Sequence, residues 1–372
     1  MKVSLELQPC CGSRSGIGVY TCELAKRMRD RDGLEFRGNL FNFMGRNDNS
    51  AALEGITMSV CESRIFPYGV YRRIWKAIPI PYQALFPGKA DLSVFFNYIV
   101  PPRVSGKVIT TVFDMTYLRF PETMDGKNRR RLQSGMRYSV ERSDHILTIS
   151  EFSKKEIMEL LNVPEEHISV VPCAPSGSGQ AADFSKCAEK FGLRRPYLLY
   201  VGTIEPRKNL IRLLRAFECL KQEQNIPHQL VLAGGKGWNN EEIYQAAYSV
   251  ENVIFTGYLS EEEKYSLYKN AAAFVFPSLY EGFGIPPLEA MSFGCPVVCA
   301  DAASLPEVVG DAAELVDSLD ELSIAQGIWN VLSDPIYADE LVRRGYEQVK
   351  KYTWTASADR LTDICKAVLG AS

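Results

Sequence analysis

A chain of 372 residues is long enough to fold as two separately cored domains at roughly 150 residues each. Apolar residues make up 46% and charged residues 23%, which excludes a disordered or fibrous class. A formal net charge of −3 argues against a surface that wraps nucleic acid. The ten cysteines are scattered without a CxxC, and none of the three histidines sits near one at ligand spacing. We therefore expect a reduced cytoplasmic chain without a zinc site. No run approaches the ~20 apolar residues of a membrane span, and the first ten residues lack the apolar core of a signal peptide.

In chain order, residues 2–7 read as a strand and 16–29 as a helix opened by a glycine loop. Residues 91–96 and 107–113 read as buried strands, 129–142 as a helix and 145–149 as a strand. A helix follows over 153–161, capped by Ser150 or Ser153, then a short strand over 168–171. The small polar stretch 175–182, PSGSGQAA, has the composition of a linker. Beyond it, strands are expected at 197–201, 229–233, 253–256, 273–276 and 296–300. They alternate with helices at 210–222, 241–248, 261–270 and 286–293. Strand–helix alternation predicts parallel sheets covered on both faces. The fold class expected is α/β, two doubly wound Rossmann-like domains facing across a cleft. The first covers 1–175 and the second 176–352, with an amphipathic helix over 353–372 crossing back to the first. Ligands should lie at the carboxyl ends of strands.

The stretch EGFGIPPLE at 281–289 joins a strand to a helix through a glycine loop. Pro286 suits the first turn of a helix. The amides of Gly284, Ile285 and Leu288 then lie at a helix start, where the positive dipole end favours a diphosphate. Glu281 can accept hydrogen bonds from sugar hydroxyls and Glu289 from ribose hydroxyls. Spacing alone is equally consistent with an ordinary helix start carrying an acidic residue. Arg207 and Lys208 follow a strand and a short loop, as charges that neutralise a leaving diphosphate would; a solvated basic pair is the other reading. Gly16 and Gly18 form a GxG at the first strand-to-helix turn, within SRSGIGVY at 13–20. Asp114 ends a strand, where it can orient a substrate hydroxyl or cap the next loop. Ser150 and Ser153 suit a helix cap. His145 reads as a structural histidine. The arginines at 129–131 suit either a solvated helix face or an anionic acceptor. The aromatic and basic stretch 68–75 suits either packing or contact with a membrane surface.

EGFGIPPLEAMSFGCPVV at 281–298 resembles the E-x7-E signature of glycosyltransferase family 4, retaining enzymes of the GT-B fold. SLPEVVGDAA at 304–313, GYLS at 257–260 and VGTIEPRKNL at 201–210 are similar to family segments in the family's order. The resemblance implies a hexose transferred with retention from a nucleotide-sugar to a glycan or lipid-linked acceptor, without a metal. It gives the diphosphate contact to Lys208, with Arg207 standing in for an arginine that many members carry where this chain has Thr203. It places Gly16 beside the donor diphosphate and makes Glu281 a sugar-positioning group. Phe113 replaces a histidine that commonly precedes the position of Asp114. Gly235, Tyr258 and Leu259 are expected to form the base pocket, with Trp238 either in it or anchoring its loop. TIEPRKN and SGIGVY resemble bacterial polysaccharide mannosyltransferases, which implies GDP-mannose as donor. A UDP-hexose donor, or a non-catalytic bilobal sugar-binding protein, is the alternative.

Overall fold

The computed structural model describes residues 1–11, 16–30, 33–75, 78, 80–86, 88–176 and 179–370. The chain begins with β1 (Lys2–Glu6), α1 (Gly16–Arg27), β2 (Glu35–Phe41), α2 (Ser50–Leu53), β3 (Ser59–Ser63) and α3 (Tyr68–Ile74). It continues through β4 (Leu92–Phe95), β5 (Lys107–Thr111), α4 (Thr116–Arg119), α5 (Gly126–Arg142), β6 (His145–Thr148), α6 (Glu151–Leu161) and β7 (Ile168–Val170). Next come α7 (Phe184–Phe191), β8 (Tyr197–Val201), α8 (Leu210–Glu223), β9 (Gln229–Ala233), α9 (Glu241–Tyr248), β10 (Val253–Gly257) and α10 (Glu261–Asn270). The last part holds β11 (Ala273–Phe276), α11 (Ile285–Ser292), β12 (Val297–Ala300), α12 (Leu305–Val309), β13 (Glu314–Val316), α13 (Glu321–Ser333), α14 (Pro335–Val349) and α15 (Trp354–Leu369).

The chain divides into two compact units. Unit 1 comprises Met1–Met115, Lys127–Cys173 and Thr353–Ser372, and unit 2 comprises Thr116–Gly126 and Ala174–Tyr352. Unit 1 holds a seven-stranded sheet in the order β3-β2-β1-β4-β5-β6-β7, and unit 2 a six-stranded sheet in the order β10-β9-β8-β11-β12-β13. Every strand pair is parallel. Fully buried strands such as β11 and β12 are continuous apolar runs, as helices on both faces of a parallel sheet require. The order of neighbours reverses at β1 in the first sheet and at β8 in the second.

Several elements differ from the sequence expectation. β2 and β3 were not expected, because Arg37, Gly38 and Asn39 interrupt the apolar pattern of one and the other is a polar edge strand. The segment Thr116–Gly126, expected in the first domain, clusters with unit 2. There the Trp238 indole N–H donates to the Thr123 carbonyl at 2.5 Å, and the Phe120 and Tyr280 rings lie 5.4 Å apart. The boundary lies at Cys173–Ala174, two residues before the expected one. Residues 177–178 of the expected linker are outside the described residues, as are 13–15 of the first glycine loop. The end of the linker is fixed: the Ala182 N–H donates to the Glu262 carbonyl at 2.9 Å, and Gly179 lies against the Tyr265 ring. α15 belongs to unit 1, where Trp354 packs on Tyr20 with ring centres 6.0 Å apart and the Ser357 hydroxyl donates to the Pro172 carbonyl at 2.8 Å.

The turn after β9 depends on a glycine. Gly234 has φ +146, and a Cβ there would lie 1.9 Å from the Gly202 carbonyl oxygen. Gly234→Ala should lower unfolding free energy by roughly 2 kcal/mol or more, through overpacking and backbone strain together. Chemical denaturation of the two proteins checks this, and equal midpoints would refute it.

Candidate active site

The loop from β8 and the loop from β11 meet at the carboxyl edge of the unit 2 sheet. Asn209 joins them. It adopts a left-handed backbone (φ +61), and its side-chain amide donates to the Pro277 carbonyl at 3.0 Å and the Ser318 carbonyl at 2.6 Å. The Leu279 N–H donates to the Arg207 carbonyl at 2.9 Å. Buried Ser304 secures the second loop from the other side, its Oγ 2.9 Å from the Glu281 carbonyl and 2.8 Å from that of Phe283.

These loops bring four charged side chains together. The Arg207 guanidinium donates to Glu281 Oε2 at 2.9 Å, to Glu205 Oε1 at 2.8 Å and to the Tyr280 carbonyl at 2.5 Å. Lys208 Nζ donates to Glu281 Oε1 and lies 5.4 Å from the centre of the Phe276 ring. Glu281 is 9% exposed and Glu205 1%. Burial by itself raises the Glu281 carboxyl, but the charges and hydrogen bonds of Arg207 and Lys208 outweigh it and hold it at about 2. Burial and the Arg207 charge push the Lys208 ammonium below its ordinary value, against the pull of Glu281 and Glu205. Two carboxylates and two cations leave the cluster formally neutral. Glu205, which the sequence reading did not single out, holds the Arg207 fork from behind, and its Oε2 has no hydrogen-bond partner. Its only sequence signal was its place in TIEPRKN.

Gly284 starts α11 with φ +120, and a Cβ there would come within 2.7 Å of Leu305 Cδ2. Pro286 and Pro287 have no N–H to offer. By the i to i−4 pattern the Leu288 N–H belongs to the Gly284 carbonyl, so Gly284 and Ile285 remain as the amides of the helix mouth. Glu289 lies in a separate cluster. It is buried, with Oε1 at 3.0 Å from Lys264 Nζ and Oε2 accepting from the Tyr268 hydroxyl at 3.3 Å. Lys264 also meets Glu261 at 3.1 Å. Burial lowers the Lys264 ammonium, but these two carboxylates outweigh burial and raise it. Lys264 also went unnoticed in the sequence, because a lysine in a helix rich in charge carries no signal of a buried partner. In the expected base pocket, a Cβ on Gly235 would meet nothing within 4 Å, Leu259 is buried and the Tyr258 side chain is exposed.

The other expected residues belong to unit 1. Gly16 opens α1 and Gly18 is buried in it. Asp114 is half-buried just after β5. Phe113, in the place of the family's histidine, is a core residue with its ring 5.2 Å from that of Tyr20 and 5.6 Å from that of Tyr98. Its carbonyl accepts from the Ser153 hydroxyl at 3.2 Å, while the Ser150 hydroxyl caps α6 by accepting from the Ser153 N–H at 3.0 Å. His145 meets the Ser169 hydroxyl at 2.8 Å. In the 68–75 stretch, Tyr71 and Trp75 are buried in an aromatic cluster with Phe41, Tyr82 and Phe86. No helix among the described residues is long and apolar enough to cross a membrane.

The family model for glycosyl transferases group 1 matches residues 183–348, which hold the two ionic clusters. Over 370 residues the chain is 32% identical to an O-antigen chain mannosyltransferase B from Escherichia coli, covering 95% of this chain and 96% of that one. The chain belongs to the group 1 glycosyl transferases. It is therefore a glycosyltransferase enzyme. Among solved structures it is similar to a sucrose-phosphate synthase from Thermosynechococcus elongatus, with a TM-score of 0.74 at 18% identity and 100% of both chains covered. It is also similar to HepE from Anabaena, solved in complex with UDP and glucose, with a TM-score of 0.73 at 16% identity and 99% and 100% covered. These likenesses give the fold, the GT-B pairing of two Rossmann-like α/β units.

The depressed carboxyl of Glu281 has a consequence for stability. Its folded value, about 2, lies below the ordinary 4.5, so its stabilisation is present above pH 4.5 and fades as pH falls towards 2. Glu281→Gln leaves Lys208 without its counter-ion and should cost about 3 kcal/mol near neutrality. Thermal melts of both proteins across pH should show that gap closing below pH 4.5. A gap that is constant with pH would overturn the ionic reading.

Proposed function

We propose that the protein is a retaining mannosyltransferase that moves mannose from GDP-mannose to a glycan or lipid-linked oligosaccharide acceptor in cell-surface polysaccharide synthesis, acting in the cytoplasm or against the cytoplasmic face of the inner membrane. The observation that carries this reading is the buried Arg207–Lys208–Glu281 cluster beside the mouth of α11. The choice of mannose is supported by the likeness to the Escherichia coli O-antigen chain mannosyltransferase along nearly the whole of both chains.

The donor diphosphate lies against the Gly284 and Ile285 amides and takes Lys208 and Arg207 as its cations. Positioned donors of this kind lower the barrier by meeting charge that grows on the leaving group. The diphosphate competes with Glu281 for Lys208. Once displaced, the Glu281 carboxylate, kept ionised by Arg207, accepts hydrogen bonds from hydroxyls of the transferred sugar. Glu289, oriented by Lys264 and Tyr268, accepts from the ribose hydroxyls. Gly235, Tyr258 and Leu259 surround the base, and Asp114 orients a substrate hydroxyl. The leaving phosphate takes the acceptor proton as the new bond forms on the face the donor leaves. No metal is needed, because protein cations and amides meet the phosphate charge. No residue is assigned as a covalent nucleophile.

Two measurements test the proposal. GDP should raise the melting temperature, and UDP should raise it less. A larger shift with UDP would move the donor to a UDP-hexose, and no shift with either would overturn the donor site. Lys208→Ala and Glu281→Ala should each lower turnover of GDP-mannose by about 10²-fold while the fold is retained, and near-normal turnover would sink the assignment.

A further inference from the structure

Unit 2 holds a cavity that the reaction outlined above does not use. It has a volume of about 260 Å³ and lies between the first turns of α8 and α9. Neither Lys208 nor Glu281 lines it. α8 contributes Ile211, Arg212 and Arg215, and Asn239 and Glu242 stand at the start of α9. Arg215, Asn239 and Glu242 are exposed, and Ile211 and Arg212 half-buried, so the cavity opens to solvent. Its inner wall includes Asn209 and Leu279, which belong to the two loops of the candidate active site. Asn209 directly follows Lys208, and the Leu279 N–H donates to the Arg207 carbonyl at 2.9 Å.

Arg212 decides what the cavity can hold. Its guanidinium donates to a neutral atom, Asn209 Oδ1, at 2.9 Å, and no carboxylate pairs with it among the described residues. Arg215, one turn further along the same face of α8, approaches the exposed Glu321 only to 3.5 Å. An exposed pair of that kind is worth little, so both guanidiniums are open to a better partner. Guanidinium forks match the oxygens of a phosphate. Glu242 would repel a bare anion placed beside it, so the phosphate belongs at the α8 wall. Asn239 and Glu242 then face the rest of the ligand, an amide and a carboxylate suited to hydroxyls. Ile211 and Leu279 offer apolar contact to ring carbons. The volume falls below the roughly 300–1,000 Å³ of sites for drug-sized ligands, so it suits one substituted ring and excludes an intact nucleotide-sugar.

We propose that this cavity binds a phosphorylated monosaccharide and that its occupancy is felt at the donor site through Asn209. Arg212 holds the Asn209 side chain from the cavity, and Asn209 in turn ties down the Pro277 and Ser318 carbonyls. A phosphate that takes Arg212 removes one of the three side-chain hydrogen bonds of Asn209 and loosens the turn that carries Arg207 and Lys208. A nucleotide-sugar is made by joining a nucleotide to a sugar phosphate, so the ligand belongs to the precursor class of the donor. That regulatory meaning rests on the nucleotide-sugar reading above; the binding itself does not.

Calorimetry on the full chain with mannose 1-phosphate, without and with saturating GDP, tests the site. Mannose 1-phosphate should bind in both cases, because GDP fills the diphosphate site and leaves the cavity open. Its affinity should fall about fivefold when GDP is bound, and that of GDP should fall by the same factor in return. Arg212→Gln should weaken mannose 1-phosphate about tenfold or more, the loss expected for a charge-assisted hydrogen bond, with GDP still bound. Ile211→Trp fills the cavity, leaves both arginines in place and carries the same expectation independently. The site is overturned if the wild type binds GDP but no mannose 1-phosphate, if saturating GDP abolishes its binding, or if both variants bind it as the wild type does. Inorganic phosphate binding as tightly as mannose 1-phosphate would overturn the sugar class. A GDP affinity that saturating mannose 1-phosphate leaves unchanged would overturn the coupling. Failure of wild-type protein to bind GDP would instead strike the donor site, and the mannose 1-phosphate titrations of the two variants would still decide the cavity.

Discussion

The candidate active site depends on burying a carboxylate between two cations. Removing Glu281, Lys208 and Arg207 from water carries a desolvation cost of several kcal/mol per ion, and their attraction offsets it only when the geometry is good. Here it is good because the backbone was arranged first. Asn209 and Ser304 fix the two loops through carbonyls, so the charged side chains are placed by a frame that carries no charge itself. Glu205 completes the balance by holding the far side of the Arg207 fork. Glu281 is the counter-ion of both cations at once, one carboxylate oxygen to each.

The frame depends in turn on the parallel sheet of unit 2. β8 and β11 are neighbours in that sheet, and the two loops leave from their carboxyl ends. Continuous apolar strands fix those ends firmly, and Phe276, the last residue of β11, supplies the ring face under the Lys208 ammonium. The glycines meet narrower needs. Gly284 makes room for Leu305 where the chain enters α11, and Gly234 lets the β9 turn pass the Gly202 carbonyl.

Much of this was legible in the sequence because it is local. E-x7-E, the prolines at 286 and 287 and the basic pair at 207–208 lie within short stretches whose order in the chain already follows strand, loop and helix. What was not legible is pairing at a distance. That Glu281 meets Lys208 rather than solvent depends on contacts 73 residues apart. Lys264 closing on Glu289, and Trp238 fastening Thr123 across 115 residues, are likewise tertiary facts. The strands β2 and β3 were hidden for another reason. Their polar and glycine residues break the alternation that marks a strand, and at Asn39 the polar residue sits in a position that packing alone would have filled with an apolar one.

That last point separates the two sheets. In unit 2 the strands end on Val201, Ala233, Gly257, Phe276, Ala300 and Val316, and the polar chemistry is carried by the loops that follow. In unit 1 four strands end on Glu6, Ser63, Thr111 and Thr148, all buried and each with a side-chain oxygen that lacks a partner. Polar groups carried on loops can change partners as the loops adjust, whereas register fixes the buried polar groups at the ends of the unit 1 strands.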